Sequence, residues 1–301
     1  MRHERGCGVP SKQGLLLFLV LTCATTWLPA WLLQDLWRPR SPMLASGILQ
    51  CSALYLGLIG WQPLLAVLLV RRFYEPPVGL NAGLRGASRR YAVLALLWPC
   101  AAMLLSSLFF VLLESQPPAA ALTTVPQLAP RQAVLEVAAV SVACLMIYFQ
   151  CWLEEIAWRG YFLVRAMECA GPWRGLVLHG CIWGAWYGIV LLLTSGGPGS
   201  LAKAGAFVTT CTLLGVLLGW LRLASRSVVP AVIANAVLTL GAGLPITLVG
   251  GDVGARGAVY EPIGWVPLSL LVAWLAFTSH RHAVTTPRAP RPAAPFSPAL
   301  H

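Results

Sequence analysis

Apolar runs long enough to cross a membrane recur along this chain, and they leave it few ways to fold. The first, Gly14 to Leu33, holds 20 residues without a charge, which is the length a helix needs to cross a hydrocarbon core. Others follow at roughly 44–70, 91–114, 133–153, 175–194, 204–221, 228–249 and 262–279. Inside lipid every backbone N–H and C=O must find its partner within the protein, so such runs fold as helices. The expected class is all-α, a polytopic membrane protein of about eight transmembrane helices. A composition that is 58% hydrophobic and only 10% charged, with a mean hydropathy of +0.74, is too apolar for a soluble domain of 301 residues.

Residues 1–13 read as a basic cytoplasmic leader, and the run after it is too long for a signal-peptide core, so it is expected to be a retained span. One membrane domain then extends over 14–282. The tail, 283–301, contains five prolines and no periodicity and is expected to be disordered. With eight spans, sixteen Lys and Arg fall on the side of the termini and five on the other. That asymmetry predicts a multi-pass protein, placed in the plasma membrane, with both termini cytoplasmic. The same topology explains a net charge of +11 without nucleic acid. Nine cysteines are scattered with no CxxC pair, so they read as small buried hydrophobes. Neither a metal nor a cofactor is expected.

One stretch breaks the apolar pattern: Glu154-Glu155-Ile156-Ala157-Trp158-Arg159-Gly160-Tyr161. Each charge near membrane depth costs about 2.5–3.5 kcal/mol on insertion scales, so charges kept there usually have a use. On a helix Glu155 and Arg159 share a face four residues apart, which pairs one acid and leaves Glu154 available. A pair beside a second carboxylate suits the activation of a water. The alternative is a salt bridge capping a membrane helix among the headgroups.

Two further segments follow in fixed order, Ile182-Trp183-Gly184-Ala185-Trp186-Tyr187 and Val228-Val229-Pro230-Ala231-Val232-Ile233-Ala234-Asn235-Ala236. Together the three resemble the CPBP family of intramembrane proteases, which includes the CAAX prenyl endopeptidases and bacteriocin-processing or immunity proteins. That family carries EExxxR on one helix, a histidine closing an FxxxH or WGxWH segment on the next, and HxxxN or HxxxD after Pro-Ala on a later one. The resemblance places a CPBP-like core at 133–249. It implies a helical fold with a cavity open to the membrane, in which a glutamate activates water to cleave a peptide bond.

Carried over by position, Glu154 and Glu155 are the catalytic pair and Arg159 orients them. Tyr187 and Asn235 stand where the family has its two histidines, and Thr239 stands where it has Asn or Asp. Tyrosine titrates near 10 and asparagine not at all, so neither replaces imidazole as a proton shuttle at neutral pH. Both can still donate hydrogen bonds to an oxyanion. The expected catalytic set is therefore Glu154, Glu155, Arg159, Tyr187 and Asn235, with Trp158, Trp183, Thr239 and His179 as substrate-binding residues. His179 precedes Tyr187 by eight residues, or roughly 12 Å along a helix. It reads equally as a buried histidine hydrogen-bonded to a neighbouring helix or as an interfacial one near Trp173 and Arg174.

What the resemblance implies is an intramembrane endopeptidase of CAAX prenyl protease type, active or a pseudoenzyme. Its partners would be membrane lipid and a hydrophobic or lipidated peptide. Two alternatives stay open: a non-catalytic scaffold or immunity-type protein binding such peptides in the same cavity, and a small transporter whose glutamates relay protons.

Overall fold

A computed structural model describes residues 12–37, 59–74, 83–84, 86–114, 129–195, 199–249, 260 and 262–278. The helices are α1 (Lys12–Leu32), α2 (Gln62–Phe73), α3 (Arg89–Glu114), α4 (Pro130–Glu155), α5 (Leu163–Ala170), α6 (Pro172–Ser195), α7 (Ser200–Ser225), α8 (Val229–Val249) and α9 (Trp265–Phe277). A π-helical segment, Ile156–Phe162, joins α4 to α5 without a break. Among the described residues there is no strand. Five of the helical stretches are long and apolar enough to cross a membrane. Large apolar side chains on the outside of α4, Val134, Val137 and Leu145, are more than 60% exposed, which only lipid tolerates over such an area. The protein is an all-α, multi-pass membrane protein.

Most of the expected spans coincide with helices. For the second run only α2 is described, and its first half, together with 1–11 of the leader and the tail 283–301, lies outside the described residues. The fourth run extends beyond 133–153. The charge count sets Arg159 in the loop after it, but the helical stretch continues from Pro130 to Ala170. The acids do not end it because they are enclosed by the protein and not left to lipid: Glu154, Glu155 and Arg159 are all 0% exposed. Gly171, at φ +84°, finally reverses the chain, and Pro172 opens α6 with the fixed φ a first helical turn prefers. Arg222 was likewise expected in a loop and instead sits 6% exposed in the last turn of α7.

The tightest seam lies between α6 and α7, and glycine makes it. Gly180, Gly184 and Gly188 recur every four residues along one edge of α6, facing Gly215 and the backbone around Val208 and Thr212 on α7. A methyl built on Gly215 would stand 2.5 Å from Gly180 Cα, and one on Gly184 would stand 2.9 Å from the Val208 carbonyl. In a bilayer helices gain little from hiding apolar surface, so close backbone packing of this kind carries their association. Gly215→Ala must push two backbones apart and should cost about 1–3 kcal/mol. The expected result is a clearly lower unfolding temperature in detergent, and an unchanged one would contradict the seam.

Two other contacts position the site. Phe18 of α1 meets Trp158 at 5.6 Å, Tyr161 at 5.5 Å and Phe162 at 5.5 Å between ring centroids, docking α1 on the π segment. Ile147 and Cys151 of α4 bury against Val232 and Ala236 of α8, which brings Asn235 alongside the acids.

Candidate active site

The π segment carries Arg159 into the site, just after Glu154 and Glu155 at the end of α4. Its ladder closes five residues back, the Leu163 N–H donating to the Trp158 carbonyl, so each turn is wider than in an α-helix. From Glu154 to Leu163 every residue but Ile156 and Gly160 is buried.

Glu155 is held from two directions. Arg159 Nη1 donates to its Oε1 at 2.8 Å, one turn along the same stretch. Asn235 Nδ2 donates to the same oxygen at 2.9 Å from α8. Arg159 in turn lies over the Trp183 ring, its Cζ 3.9 Å from the centroid, a cation–π contact strengthened by burial. Its Nε and Nη2, and Glu155 Oε2, find no hydrogen-bond partner among the described residues.

Glu154 faces α6. The Tyr187 hydroxyl lies across its carboxylate, 2.7 Å from Oε1 and 2.9 Å from Oε2. Gln150, one turn earlier on α4, donates its Nε2 to Oε1 at 3.1 Å. Tyr187 is itself wedged among Trp183, Trp186 and Phe207, with centroids at 5.7, 4.6 and 5.9 Å, and Phe207 stacks on Tyr260 at 5.6 Å.

The five residues expected to be catalytic thus come together from three helical stretches. The four expected to bind substrate take different positions. Trp183 lines the site through Arg159. Thr239 lies one turn beyond Asn235 and donates its hydroxyl to the Asn235 carbonyl at 2.9 Å. Trp158 is fully buried in the core, against Phe18, Phe162 and Trp186. His179 is neither interfacial nor hydrogen-bonded. It is 0% exposed, packs against Trp158 and Phe162 at 6.4 and 6.0 Å, and neither ring nitrogen has a partner among the described residues.

Gln150, Phe207 and Tyr260 were not anticipated. Gln150 carried a signal that could have found it, as an uncharged polar residue four positions before Glu154 within an apolar run. Phe207 and Tyr260 carried none, because aromatics are common throughout this chain.

Residues 136–241 match the family model of Rce1-like proteins, type II CAAX prenyl endopeptidases. The chain carries an Rce1-like domain. No curated protein and no solved structure gives a match. The Rce1-like domain starts within α4 and ends within α8, so it holds Glu154, Glu155, Arg159, Tyr187 and Asn235 and the seam between α6 and α7. The match supports the resemblance to the CPBP family drawn from the three motif segments.

Proposed function

We propose that the protein is a slow intramembrane endopeptidase in which Glu154 is the general base. The observation that carries this reading is the division of labour between the acids. Glu155 is bound by a guanidinium and a carboxamide, which fix it as a structural and electrostatic anchor. The hydrogen bonds described for Glu154 come from a phenol and a primary amide, neither of them charged, and they orient the carboxylate. In the proposed step Glu154 takes a proton from water while the water oxygen bonds to the carbonyl carbon of a peptide. The tetrahedral intermediate collapses, the C–N bond breaks, and the proton passes from Glu154 to the leaving amine. Tyr187, once Glu154 is protonated, donates its hydroxyl to the oxyanion. Without imidazole the rate falls by roughly 10²–10⁴, the usual worth of a matched acid or base.

The substrate class this reading supports is a hydrophobic or lipidated peptide associated with the membrane. The excess of Lys and Arg in the loops beside the termini supports cytoplasmic termini in a plasma membrane. A second reading, a binding protein without turnover, rests on a specific contact: Tyr187 spans both oxygens of Glu154 and competes with water for their lone pairs.

The test uses the purified full chain and a prenylated CAAX peptide. Wild type should cleave slowly, and Glu154→Gln and Glu155→Gln should both abolish cleavage. Only Glu155→Gln should also lower the unfolding temperature, because it strips the buried Arg159 of its counter-charge. Cleavage that survives Glu154→Gln sinks the proposed base; an inert wild type that still binds the peptide favours the second reading.

A further inference from the structure

Gln150 lies outside the three motif segments, yet it touches the group on which the proposed chemistry turns. Its Nε2 is 3.1 Å from Glu154 Oε1, and the residue is 6% exposed in a helix otherwise lined here with apolar side chains. A primary amide buried in such surroundings is stabilised only if its polar atoms are bonded. It precedes Glu154 by four residues within the regular part of α4, before the π segment widens the turn. In that geometry side chains four apart stand one above the other. The amide therefore approaches along the helix axis, whereas Tyr187 approaches from α6.

Two donors reaching Oε1 from different directions do what neither does alone. Tyr187 bridges both oxygens from α6. The amide of Gln150 adds a donor on Oε1 along the helix axis, and the two directions together define the plane of the carboxylate. We propose that Gln150 is the positioning residue for Glu154, fixing the orientation of its carboxylate toward the scissile bond. The assignment rests on Glu154 being the base, and it concerns a side chain that acts through Glu154 and does not touch substrate.

The experiment compares wild type with Gln150→Met, which keeps the length of the side chain and removes the donor, in the full chain in detergent. Infrared spectroscopy reads Glu154 directly: the carboxyl or carboxylate band that Glu154→Gln removes should shift in Gln150→Met. Turnover of the prenylated peptide should fall about tenfold in kcat with KM unchanged, the rate equivalent of one hydrogen bond. A residue needed only for packing would lower the unfolding temperature and leave the band in place, and that result overturns the proposal, as does an unchanged kcat in an active enzyme. If Gln150→Met does not fold, Gln150→Glu preserves shape and polarity while replacing the donor with a competing acid, and the same band must move. An inert wild type whose band still shifts defeats the protease reading but keeps Gln150 as the group that sets the Glu154 carboxylate.

Discussion

Arg159→Leu should destabilise the protein by about 3–5 kcal/mol, the cost of stranding a buried charge whose partner has been removed. Glu155 and Arg159 are both 0% exposed and meet at 2.8 Å, so no water can replace the lost guanidinium at the surface. The substitution also removes the cation over Trp183. Thermal unfolding in detergent measures the loss. Arg159→Leu combined with Glu155→Leu should recover part of it, because both buried charges are then gone while the Asn235 amide loses its acceptor. An unperturbed single variant would mean that the pair is open to water, and the account of an enclosed pair would then be wrong. Activity should vanish in both variants.

A gain is expected from the opposite kind of change. Tyr187→His together with Asn235→His should raise peptide cleavage by roughly 10²–10⁴, the contribution of a positioned acid or base working near neutral pH. The reason is positional: Tyr187 already reaches Glu154 at 2.7 Å and Asn235 already reaches Glu155 at 2.9 Å. Imidazoles at these two places would act on the carboxylates that the present side chains only hydrogen-bond. Product analysis by mass spectrometry separates true cleavage from contaminating protease, since Glu154→Gln in the same background must silence it. A doubly substituted protein that folds, binds peptide and cleaves no faster would show that the carboxylates are held in a geometry unsuited to hydrolysis.

The run lengths identified the membrane helices because their signal is additive over about twenty residues and needs no tertiary information. The end of the fourth span stayed open for the converse reason. Charge at Glu154, Glu155 and Arg159 reads as a helix end in one dimension, and only the arrival of Asn235 and Tyr187 from elsewhere makes it an interior. The motif spacing anticipated which residues would meet, since Glu155 and Arg159 are neighbours on one helical face. It could not anticipate that Tyr187 would lie across both oxygens of Glu154, which depends on how α6 is rotated. His179 illustrates the same limit: its place in the sequence suggested a hydrogen-bonded or an interfacial histidine, whereas it packs against Trp158 and Phe162 with neither ring nitrogen bonded among the described residues. The π segment has no simple signature in Ile156–Phe162, and its burial comes from the helices packed around it.

The glycine seam restricts how a substrate reaches the acids. At Gly180 and Gly184 the two backbones stand so close that not even a methyl group fits between them, so no peptide can slip in sideways there. Tyr187 is carried on that closed wall and cannot swing away by parting α6 from α7.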